Sequence, residues 1–386
     1  MKVLYTSFIK PSEKFGGGLV ILQTLSSLSS FAEIDYIGLD YDEEEFKKYG
    51  IKINKKMIVD STSSKINRVF NAIIYSASSG YYSSWKNAIS KLNAKDYDFV
   101  YMDFTRHSFV AKWAHDNKLS LIIRAHNAEA DYAKSLYENN KTIINKIRVY
   151  TSKINEKKCV NYANRIIVIT KYEKDRFIEF YGNEDKYSVI PVCVKKFDKS
   201  TGLNVKKPYI LLTGSLWFGP NADGTIWFLK NVWSEIQHSI GDKYDLVIAG
   251  ANPNEEIQML SKEYSNIRLF ISPEDIEPFY VDAILYVAPV FYGAGMKVKV
   301  AEALSCGIHV VGTSHALAGY EDARDFIHPA NNQNEFIDNI VSLIKNNGRI
   351  CDKEDIISVF ERCYSLDSSR KKLEDIINSL KIEKRQ

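Results

Sequence analysis

The sequence predicts an α/β protein that consists of two doubly wound, parallel-sheet halves. Short apolar runs recur along the chain of 386 residues, and stretches with a helical pattern separate them. This alternation is typical of parallel sheets, whose strands are buried on both faces and are joined by helices. A polar, lysine-rich stretch that a proline closes, Lys195–Pro208, divides the two series of runs and is predicted to be a linker.

Each half contains several apolar runs that we predict to be strands. In the first half they are Lys2–Tyr5, Ile34–Ile37, Phe99–Met102, Leu119–Ile123 and Arg165–Ile169. In the second half they are Tyr209–Thr213, Leu246–Ala249, Ile267–Phe270, Ala283–Ala288 and Ile308–Val311. In open parallel sheets, ligands bind outside the carboxyl ends of the strands, so we expect the halves to face each other across a central cleft. The amphipathic pattern of Asp355–Leu380 predicts one helix near the end of the chain.

The composition indicates a globular protein of the cytoplasm. Hydrophobic residues make up 45% of the chain and charged residues 26%, and the formal net charge of +3 is too small to indicate nucleic-acid binding. The chain has no run of about twenty apolar residues that would cross a membrane, and Met1–Thr6 is too short for a signal peptide. The five cysteines are dispersed and form no CxxC pair, which favours reduced thiols and argues against a zinc site.

The segment Tyr292–Thr313 carries the strongest functional signal in the chain. Its pattern predicts a glycine-rich turn, a helix that begins near Lys297, a stop at Gly307 and a buried strand at Ile308–Val311. A helix that begins directly after small residues offers free backbone N–H groups and a positive dipole end to an anion. The segment is therefore predicted to bind an anionic ligand.

The charged residues of this segment indicate what the ligand is. Lys297 and Lys299 lie in the first helical turn, where the dipole favours acidic residues, so an anionic ligand would supply the missing negative charge. Glu302 follows one turn after Val298 and can accept hydrogen bonds from a ribose diol. A nucleotide diphosphate that carries a sugar would fit every group. The predicted donor-binding residues of the segment are Gly293, Ala294, Gly295, Met296, Val298 and Glu302.

This segment resembles the donor-binding element of the GT-B glycosyltransferases, particularly those of family 4. Those enzymes often carry two glutamates separated by seven residues; Glu302 matches the second, and Ala294 occupies the place of the first. The resemblance implies a GT-B fold with two Rossmann-like domains. Residues 1–195 would form the acceptor-side domain and residues 196–364 the donor-binding domain, while a final helix, about 365–386, would pack back on the first domain.

A histidine follows one of the predicted strands of the first half, in the segment Arg124–Glu129. Taken alone, His126 is more typical of a structural hydrogen-bonding residue than of a catalytic one. The resemblance implies the opposite, because family 4 members place an active-site histidine at the matching position. We therefore predict that His126 lies near the transferred sugar, with Arg124 and Glu129 as further candidates.

Two glycine-containing turns are further candidates for the donor site. Gly17 and Gly18 belong to a glycine run between the first strand and a predicted helix, Leu19–Ser30, and lack the GxGxxG spacing of a dinucleotide site. The run is equally typical of a flexible turn, but the resemblance places it beside the donor diphosphate and the acceptor. Gly214 and Ser215 end a strand of the second half and can donate hydrogen bonds to a phosphate.

Polar residues after this second turn have a structural interpretation as well. Asn221 or Asp223 would cap a helix predicted at Gly224–Glu235. Many relatives have an arginine and a lysine here that neutralise the diphosphate, and this chain has neither between Ser215 and Phe228. We therefore predict that Lys297 and Lys299 perform that role.

Two charged segments suggest other ligands. Asp40-Tyr-Asp42 has the form of a metal-binding DxD, but it runs into three glutamates and is better interpreted as an acidic helix start, so no metal site is predicted. The segment Lys141–Arg165 is strongly basic with apolar residues interleaved, which is usually a solvated face. Its sharper interpretation is a peripheral contact with anionic lipid at the inner face of the membrane.

The resemblance implies a retaining, metal-independent glycosyltransferase. The donor would be a nucleotide-diphosphate sugar, with a UDP-sugar favoured, and no separate cofactor is predicted. The acceptor would be a hydroxyl of a glycan or of a lipid-linked acceptor, in bacterial surface polysaccharide synthesis. The predicted catalytic residues are His126, Lys297 and Lys299. Two alternatives are a GT-B sugar-nucleotide epimerase and a non-catalytic sugar-binding or partner subunit.

Overall fold

A computed structural model describes residues 1–13, 16–60, 82–197, 202–203, 205, 207–293, 295–345 and 353–383. The chain forms two compact units. The first comprises Met1–Pro191 and Ser369–Gln386, and the second comprises Val192–Ser368. The predicted linker lies partly outside the described residues.

In the described part of the first unit, seven parallel strands form one sheet in the order β3-β2-β1-β4-β5-β6-β7. They are β1 (Lys2–Ser7), β2 (Glu33–Gly38), β3 (Lys55–Ile58), β4 (Phe99–Asp103), β5 (Ser120–Arg124), β6 (Arg165–Val168) and β7 (Tyr187–Val189). The helices that connect them are α1 (Gly16–Ser29), α2 (Glu43–Lys48), α3 (Tyr82–Ser90), α4 (Ser108–Asp116), α5 (Glu129–Asn139), α6 (Ile143–Tyr162) and α7 (Lys171–Tyr181).

Successive residues of each strand face opposite sides of this sheet, as the pleat requires. In β1, Val3 and Tyr5 belong to one buried apolar cluster and Leu4 to another. Both faces are therefore covered, which is why the strands of the first unit appear in the sequence as continuous apolar runs.

The second unit has the same architecture. Its described residues form a six-stranded parallel sheet in the order β10-β9-β8-β11-β12-β13. The strands are β8 (Tyr209–Ser215), β9 (Asp245–Ala251), β10 (Ile267–Ile271), β11 (Leu285–Ala288), β12 (Val310–Gly312) and β13 (Ile327–Pro329). The helices are α8 (Gly219–Phe228), α9 (Ser234–Ile240), α10 (Glu255–Glu263), α11 (Glu277–Val281), α12 (Val298–Ser305), α13 (Gln333–Lys345) and α14 (Lys353–Cys363). The last helix, α15 (Leu366–Glu383), runs from the second unit into the residues of the first.

The structure confirms the predicted strands and adds three that the sequence analysis did not predict. These are β3, β7 and β13, and each lies at the edge of its sheet. The edge strand β3 begins with two exposed lysines, and β7 and β13 have only three residues each. Short and charged edge strands protect a sheet from pairing with other chains, but they lack the apolar run by which a strand is recognised.

Three predicted helix boundaries are wrong. The first helix begins at Gly16 rather than Leu19. The predicted helix at Gly224–Glu235 instead begins at Gly219, with Phe218 as its N-cap, so neither proposed side-chain cap is used. The single helix predicted near the end of the chain is divided into α14 and α15. The break lies at Ser365, whose hydroxyl accepts a hydrogen bond from the N–H of Ser368 in the first turn of α15.

Candidate functional site

The strongest candidate site of the second unit lies where two neighbouring strands end. β8 and β11 are adjacent, but the connection after β8 leads to one edge of the sheet and that after β11 leads to the other. This change of direction is a topological switch point, and it leaves a crevice at the carboxyl ends of the two strands. Gly214 and Ser215 end β8 at this point, and the glycine-rich turn follows β11.

The glycines of that turn adopt backbone angles that other residues rarely reach. Gly293 has a φ of 108° and Gly295 a φ of 75°, and only glycine adopts such angles without steric cost. Ala294, a predicted donor-binding residue, lies outside the described residues. The backbone conformation of the turn therefore requires glycine at these two positions, in addition to the predicted need for a ligand to approach closely.

Helix α12 begins after this turn, as the sequence predicted. Lys297 is its N-cap residue, and the Lys297 side chain does not cap the first N–H groups. The helix ends before Gly307, whose φ of 72° turns the chain towards β12. Of the predicted donor-binding residues here, Met296 is buried and Val298 begins the helix, so Val298 can present its backbone N–H at the positive end of the dipole.

The side chain of Lys299 connects α12 with the end of β8 and with the start of α8. Its Nζ atom donates hydrogen bonds to the carbonyl of Thr213 at 3.0 Å and to Oδ1 of Asn221 at 2.8 Å. It therefore lies directly beside the turn at Gly214. Burial and, to a smaller extent, the charge of Lys297 lower the pKa of Lys299 to about 8, against the opposing effect of Glu302.

The second lysine, Lys297, folds back on the glycine-rich turn. Its Nζ atom donates a hydrogen bond to the carbonyl of Gly295 at 2.7 Å. Burial also lowers the pKa of Lys297 to about 8. Two ammonium groups are thus placed in partly desolvated positions at the start of a helix, where an anion would restore their charge.

Glu302 lies at the end of a hydrogen-bonded network that the sequence analysis missed. Its Oε2 atom accepts a hydrogen bond from the Tyr280 hydroxyl at 2.9 Å. The hydroxyls of Tyr280 and Tyr286 lie 2.6 Å and 2.9 Å from Oγ1 of Thr213. Burial raises the pKa of Glu302, and the bond from Tyr280 opposes that rise. Tyrosines in otherwise apolar runs were the only signal in the sequence.

One further residue of this crevice was not predicted. His315 follows β12 and lies near the backbone of Tyr292 and Gly293. Burial and the nearby charge of Lys297 lower the pKa of His315, which favours the neutral imidazole near pH 7. Lys297 and His315 thus both lie beside the glycine-rich turn.

In the first unit, His126 lies just beyond the carboxyl end of β5 and is buried. Its Nε2 atom is 2.9 Å from Oδ1 of Asp103, and the hydroxyl of Tyr5 donates to the other oxygen of that carboxylate. The imidazole stacks on Phe104, with ring centres 4.0 Å apart. Burial lowers the pKa of His126, and the hydrogen bond to Asp103 opposes this. The histidine is thus fixed in one orientation by a carboxylate.

The two neighbouring candidates, Arg124 and Glu129, have partners within the first unit. Arg124 is buried and donates to the carbonyls of Ile190 and Pro191 at 3.2 Å and 3.3 Å. Glu129 forms an ion pair with Arg106 at 2.9 Å. These contacts indicate that Arg124 and Glu129 have structural roles. The sequence pattern alone did not distinguish such roles from catalytic ones.

Comparison with known proteins agrees with this architecture. Residues 207–346 match the family model described as glycosyl transferases group 1. Anabaena HepE, solved in complex with UDP, is 12% identical with a TM-score of 0.68, over 98% of this chain and 100% of HepE. WaaG, a glycosyltransferase involved in lipopolysaccharide biosynthesis, is 16% identical with a TM-score of 0.65, over 97% of this chain and 99% of WaaG.

This chain is a glycosyltransferase, and its residues 207–346 are of the group 1 type. The GT-B fold and the enzyme class that the sequence predicted are confirmed. An uncharacterized 44.6 kDa protein in the cps region of Klebsiella pneumoniae is 28% identical over 319 residues, which is 78% of this chain and 79% of that protein.

In this glycosyltransferase, Gly17 and Gly18 form part of the first turn of α1 rather than the sharp loop that was predicted. Neither has a positive φ, and a Cβ atom at Gly17 would meet only ordinary contacts, the nearest at 3.8 Å from the ring of Phe104. Lys14 and Phe15, which precede the run, lie outside the described residues. The glycines leave the start of α1 without bulky side chains.

The acidic DxD segment of the glycosyltransferase is a helix start, as predicted. Asp42 is the N-cap of α2 and accepts a hydrogen bond from the N–H of Glu44 at 2.9 Å, while Asp40 pairs with Lys56 at 3.1 Å. Among the described residues, no three His, Cys, Asp or Glu side chains form a group that could hold a metal ion. The helices of the described part include none with the length and apolarity needed to cross a membrane.

Proposed function

We propose that this glycosyltransferase transfers a sugar from a nucleotide-diphosphate donor, a UDP-sugar, to a hydroxyl group of a glycan or of a lipid-linked acceptor. The observation that carries the proposal is the pair Lys297 and Lys299 at the start of α12. The Lys299 ammonium lies beside the Gly214 turn, and the Lys297 ammonium lies against Gly295, directly before the open N–H groups of the helix. The complex of HepE with UDP supports a UDP-type donor.

We assign the predicted residues to this reaction. The donor-binding residues are Gly17, Gly18, Gly214, Ser215, Gly293, Ala294, Gly295, Met296, Val298 and Glu302. Lys297 and Lys299 would neutralise the diphosphate, Glu302 would accept hydrogen bonds from the ribose, and His126 would contact the transferred sugar. Glu302 suits its role because one of its oxygens is already oriented by Tyr280.

The proposed reaction depends on the charge that develops on the leaving diphosphate. As the glycosidic bond breaks, the helix dipole and the two lysines would stabilise the negative charge on the phosphate oxygens. A departing phosphate oxygen would take the proton of the acceptor hydroxyl on the same face of the sugar. The new bond would then form on the face that the diphosphate leaves, which retains the anomeric configuration without a dedicated base or a metal ion.

Surface polysaccharide assembly in bacteria is the proposed setting. WaaG takes part in lipopolysaccharide biosynthesis, and the Klebsiella relative is a protein of the cps region. The description of WaaG supports a glycan or lipid-linked acceptor.

We further propose that α6 provides the peripheral membrane contact suggested by the basic segment Lys141–Arg165. In its first half, Ile143 and Tyr150 are 79% and 69% exposed, and Lys146 and Arg148 are exposed between them. Apolar side chains beside cations suit the interface of an anionic bilayer. Several residues of the second half are buried, so the contact would be limited to the first half.

Co-sedimentation with vesicles tests the membrane contact by itself. We expect binding to phosphatidylserine vesicles that decreases with salt and is weakened by Ile143→Ser, but not by Met259→Ser, which changes an exposed apolar residue of α10. Equal binding to neutral vesicles, or none to either, would exclude the proposed contact.

Thermal unfolding in the presence of nucleotides tests the donor site. The full chain is heated with UDP, GDP, ADP or CMP, and with the corresponding sugar conjugates. We expect UDP to raise the midpoint temperature, because a ligand that binds the folded state stabilises it by mass action. Lys299→Ala and Glu302→Ala should abolish the shift, whereas Lys262→Ala, an exposed lysine of α10, should preserve it.

Nucleotide binding and product analysis together separate the alternatives. A shift with a different nucleoside diphosphate would mean that the donor carries that base, and no shift with any nucleotide would favour a non-catalytic subunit. If UDP-sugars bind and product analysis shows that they are interconverted without an acceptor, the protein is an epimerase rather than a transferase.

A further inference from the structure

The buried carboxylate of Glu156, on α6, joins three parts of the first unit. Its Oε1 atom accepts hydrogen bonds from the Thr105 hydroxyl at 3.0 Å and from the backbone N–H of Glu129 at 2.8 Å. Its Oε2 atom accepts from the Tyr181 hydroxyl at 2.8 Å and from the N–H of Ala130 at 3.3 Å. One side chain thus holds the loop after β4, the start of α5 and the helix α7.

The groups that Glu156 holds flank the pair formed by His126 and Asp103. Thr105 follows Asp103 by two residues, and Glu129, the first residue of α5, follows His126 by three. The N-cap residue of α5 is an alanine, which has no side-chain oxygen to accept the first N–H groups of the helix. The carboxylate from α6 satisfies two of those groups instead.

The surroundings of Glu156 supply hydrogen bonds rather than a cation. The adjacent arginine, Arg106, is paired with Glu129. Other titratable groups near Glu156 include Tyr181 of α7, Tyr187 of β7 and Cys159 of α6. Asp131 of α5 and Arg176 of α7 form an ion pair with each other at 3.0 Å. Burial, opposed by the hydrogen bonds and assisted by the charge of Glu129, raises the pKa of Glu156 to about 7. The carboxyl group therefore changes charge near neutral pH.

We propose that Glu156 is the positioning residue of the His126 loop. Through its four hydrogen bonds it fixes the start of α5 and the loop after β4, and so keeps His126 against Asp103. Because the pKa of the buried acid is raised in this closed arrangement, ionisation as the pH rises through about 7 weakens the arrangement, and the loop opens more readily at higher pH. The inference rests on the proposed function for its relevance to sugar transfer, because His126 is assigned there to the transferred sugar.

Amide hydrogen exchange of the full chain tests this positioning without requiring activity. Exchange is measured by mass spectrometry at pH 6 and pH 8, with rates corrected for the intrinsic effect of pH. In the wild type we expect the peptide covering residues 126–133 to exchange about tenfold faster at pH 8 than at pH 6, beyond the intrinsic effect of pH. Glu156→Gln imitates the protonated acid, so its exchange should be slow at both values, whereas Glu156→Ala, which removes the hydrogen bonds, should exchange fast at both.

A second readout follows the histidine itself. The ring signals of His126 in an NMR spectrum, assigned with His126→Gln, should change position near pH 7 in the wild type. Glu156→Gln should remove this pH-dependent change. If Glu156→Gln does not fold, Tyr181→Phe serves instead. This variant keeps the Glu156 carboxylate but removes one hydrogen-bond donor to it, so the change of the His126 signals should move to higher pH.

The matched control is Glu173→Gln. Glu173 is half-buried, burial raises its pKa to about 7, and its carboxylate accepts from the N–H groups of Ile169 and Thr170 at the start of α7. Its loss should change exchange near residues 169–176 only. Three results would overturn the proposal: equal wild-type protection at pH 6 and pH 8, full protection in folded Glu156→Ala, or loss of protection at 126–133 in the control. UDP binding in the second unit is measured separately, so failure here leaves the donor proposal intact.

Discussion

At the scale of single residues, the candidate site of the second unit depends on the hydroxyl group of Tyr280. It donates to Glu302 and contacts the Thr213 hydroxyl, and all of these groups are largely withdrawn from water. We predict that Tyr280→Phe lowers the free energy of unfolding by about 1–3 kcal/mol, because polar partners are left unsatisfied. Urea unfolding measures the change. Tyr172→Phe, at a 69% exposed tyrosine, should change it by less than about 0.5 kcal/mol, and equal effects of the two would contradict the network.

The same network shows which parts of the site could be predicted from sequence. Lys297, Lys299 and Glu302 were predicted because they share one short segment with a recognisable local pattern. The partner of Lys299, Asn221, lies 78 residues away, and Tyr280 lies 22 residues from Glu302. Contacts of this kind are created by the strand order of the sheet, so no local pattern contains them.

At the scale of elements, the starts of α5 and α7 each depend on a buried carboxylate, and this makes stability depend on pH. Burial raises the pKa of Glu173 from 4.5 to about 7. A carboxyl group with a raised pKa in the folded state stabilises fully below about pH 4.5, and this contribution is lost as the pH rises through about 7. At 1.36 kcal/mol per pKa unit the loss is about 3 kcal/mol at most.

We predict that the free energy of unfolding falls between pH 5 and pH 7.5, and that Glu173→Gln makes the fall smaller. Urea unfolding of both proteins at the two pH values measures it. The exposed Glu184→Gln provides the control and should leave the slope unchanged. A slope that Glu173→Gln does not alter would mean that Glu173 titrates in the folded protein as it does in the unfolded chain.

The sequence predicted strands well where both of their faces are buried, and it missed three strands at the edges of the sheets. The central strands carry apolar runs because helices cover both faces of the sheets, while β3, β7 and β13 lie at edges and lack such runs. The division between α14 and α15 was missed for a different reason. The apolar pattern continues across Ser365, and only its role as a cap shows that two helices meet there.

At the scale of the whole molecule, the two units differ in whether they are built from one continuous segment of the chain or from two. The second unit is one continuous segment, Val192–Ser368, whereas the first needs residues from both ends. Leu373, Ile377 and Leu380 of α15 are buried in the same apolar cluster as Val3 and Tyr5. Burying a Leu or Ile side chain contributes about 1.5–3 kcal/mol, so three of them approach the total stability of a typical domain.

We therefore predict that a fragment of residues 192–368 folds by itself and binds UDP, whereas a fragment of residues 1–191 does not fold. Circular dichroism and thermal unfolding of the separate fragments measure this. Because only the packing of α15 is missing, a peptide of residues 366–383 added to fragment 1–191 should restore cooperative unfolding in proportion to its concentration. The same peptide with Leu373 and Ile377 replaced by serine should have no effect. A cooperatively folded fragment 1–191 would show that the parallel sheet and its other helices suffice, and that α15 contributes much less than its burial indicates.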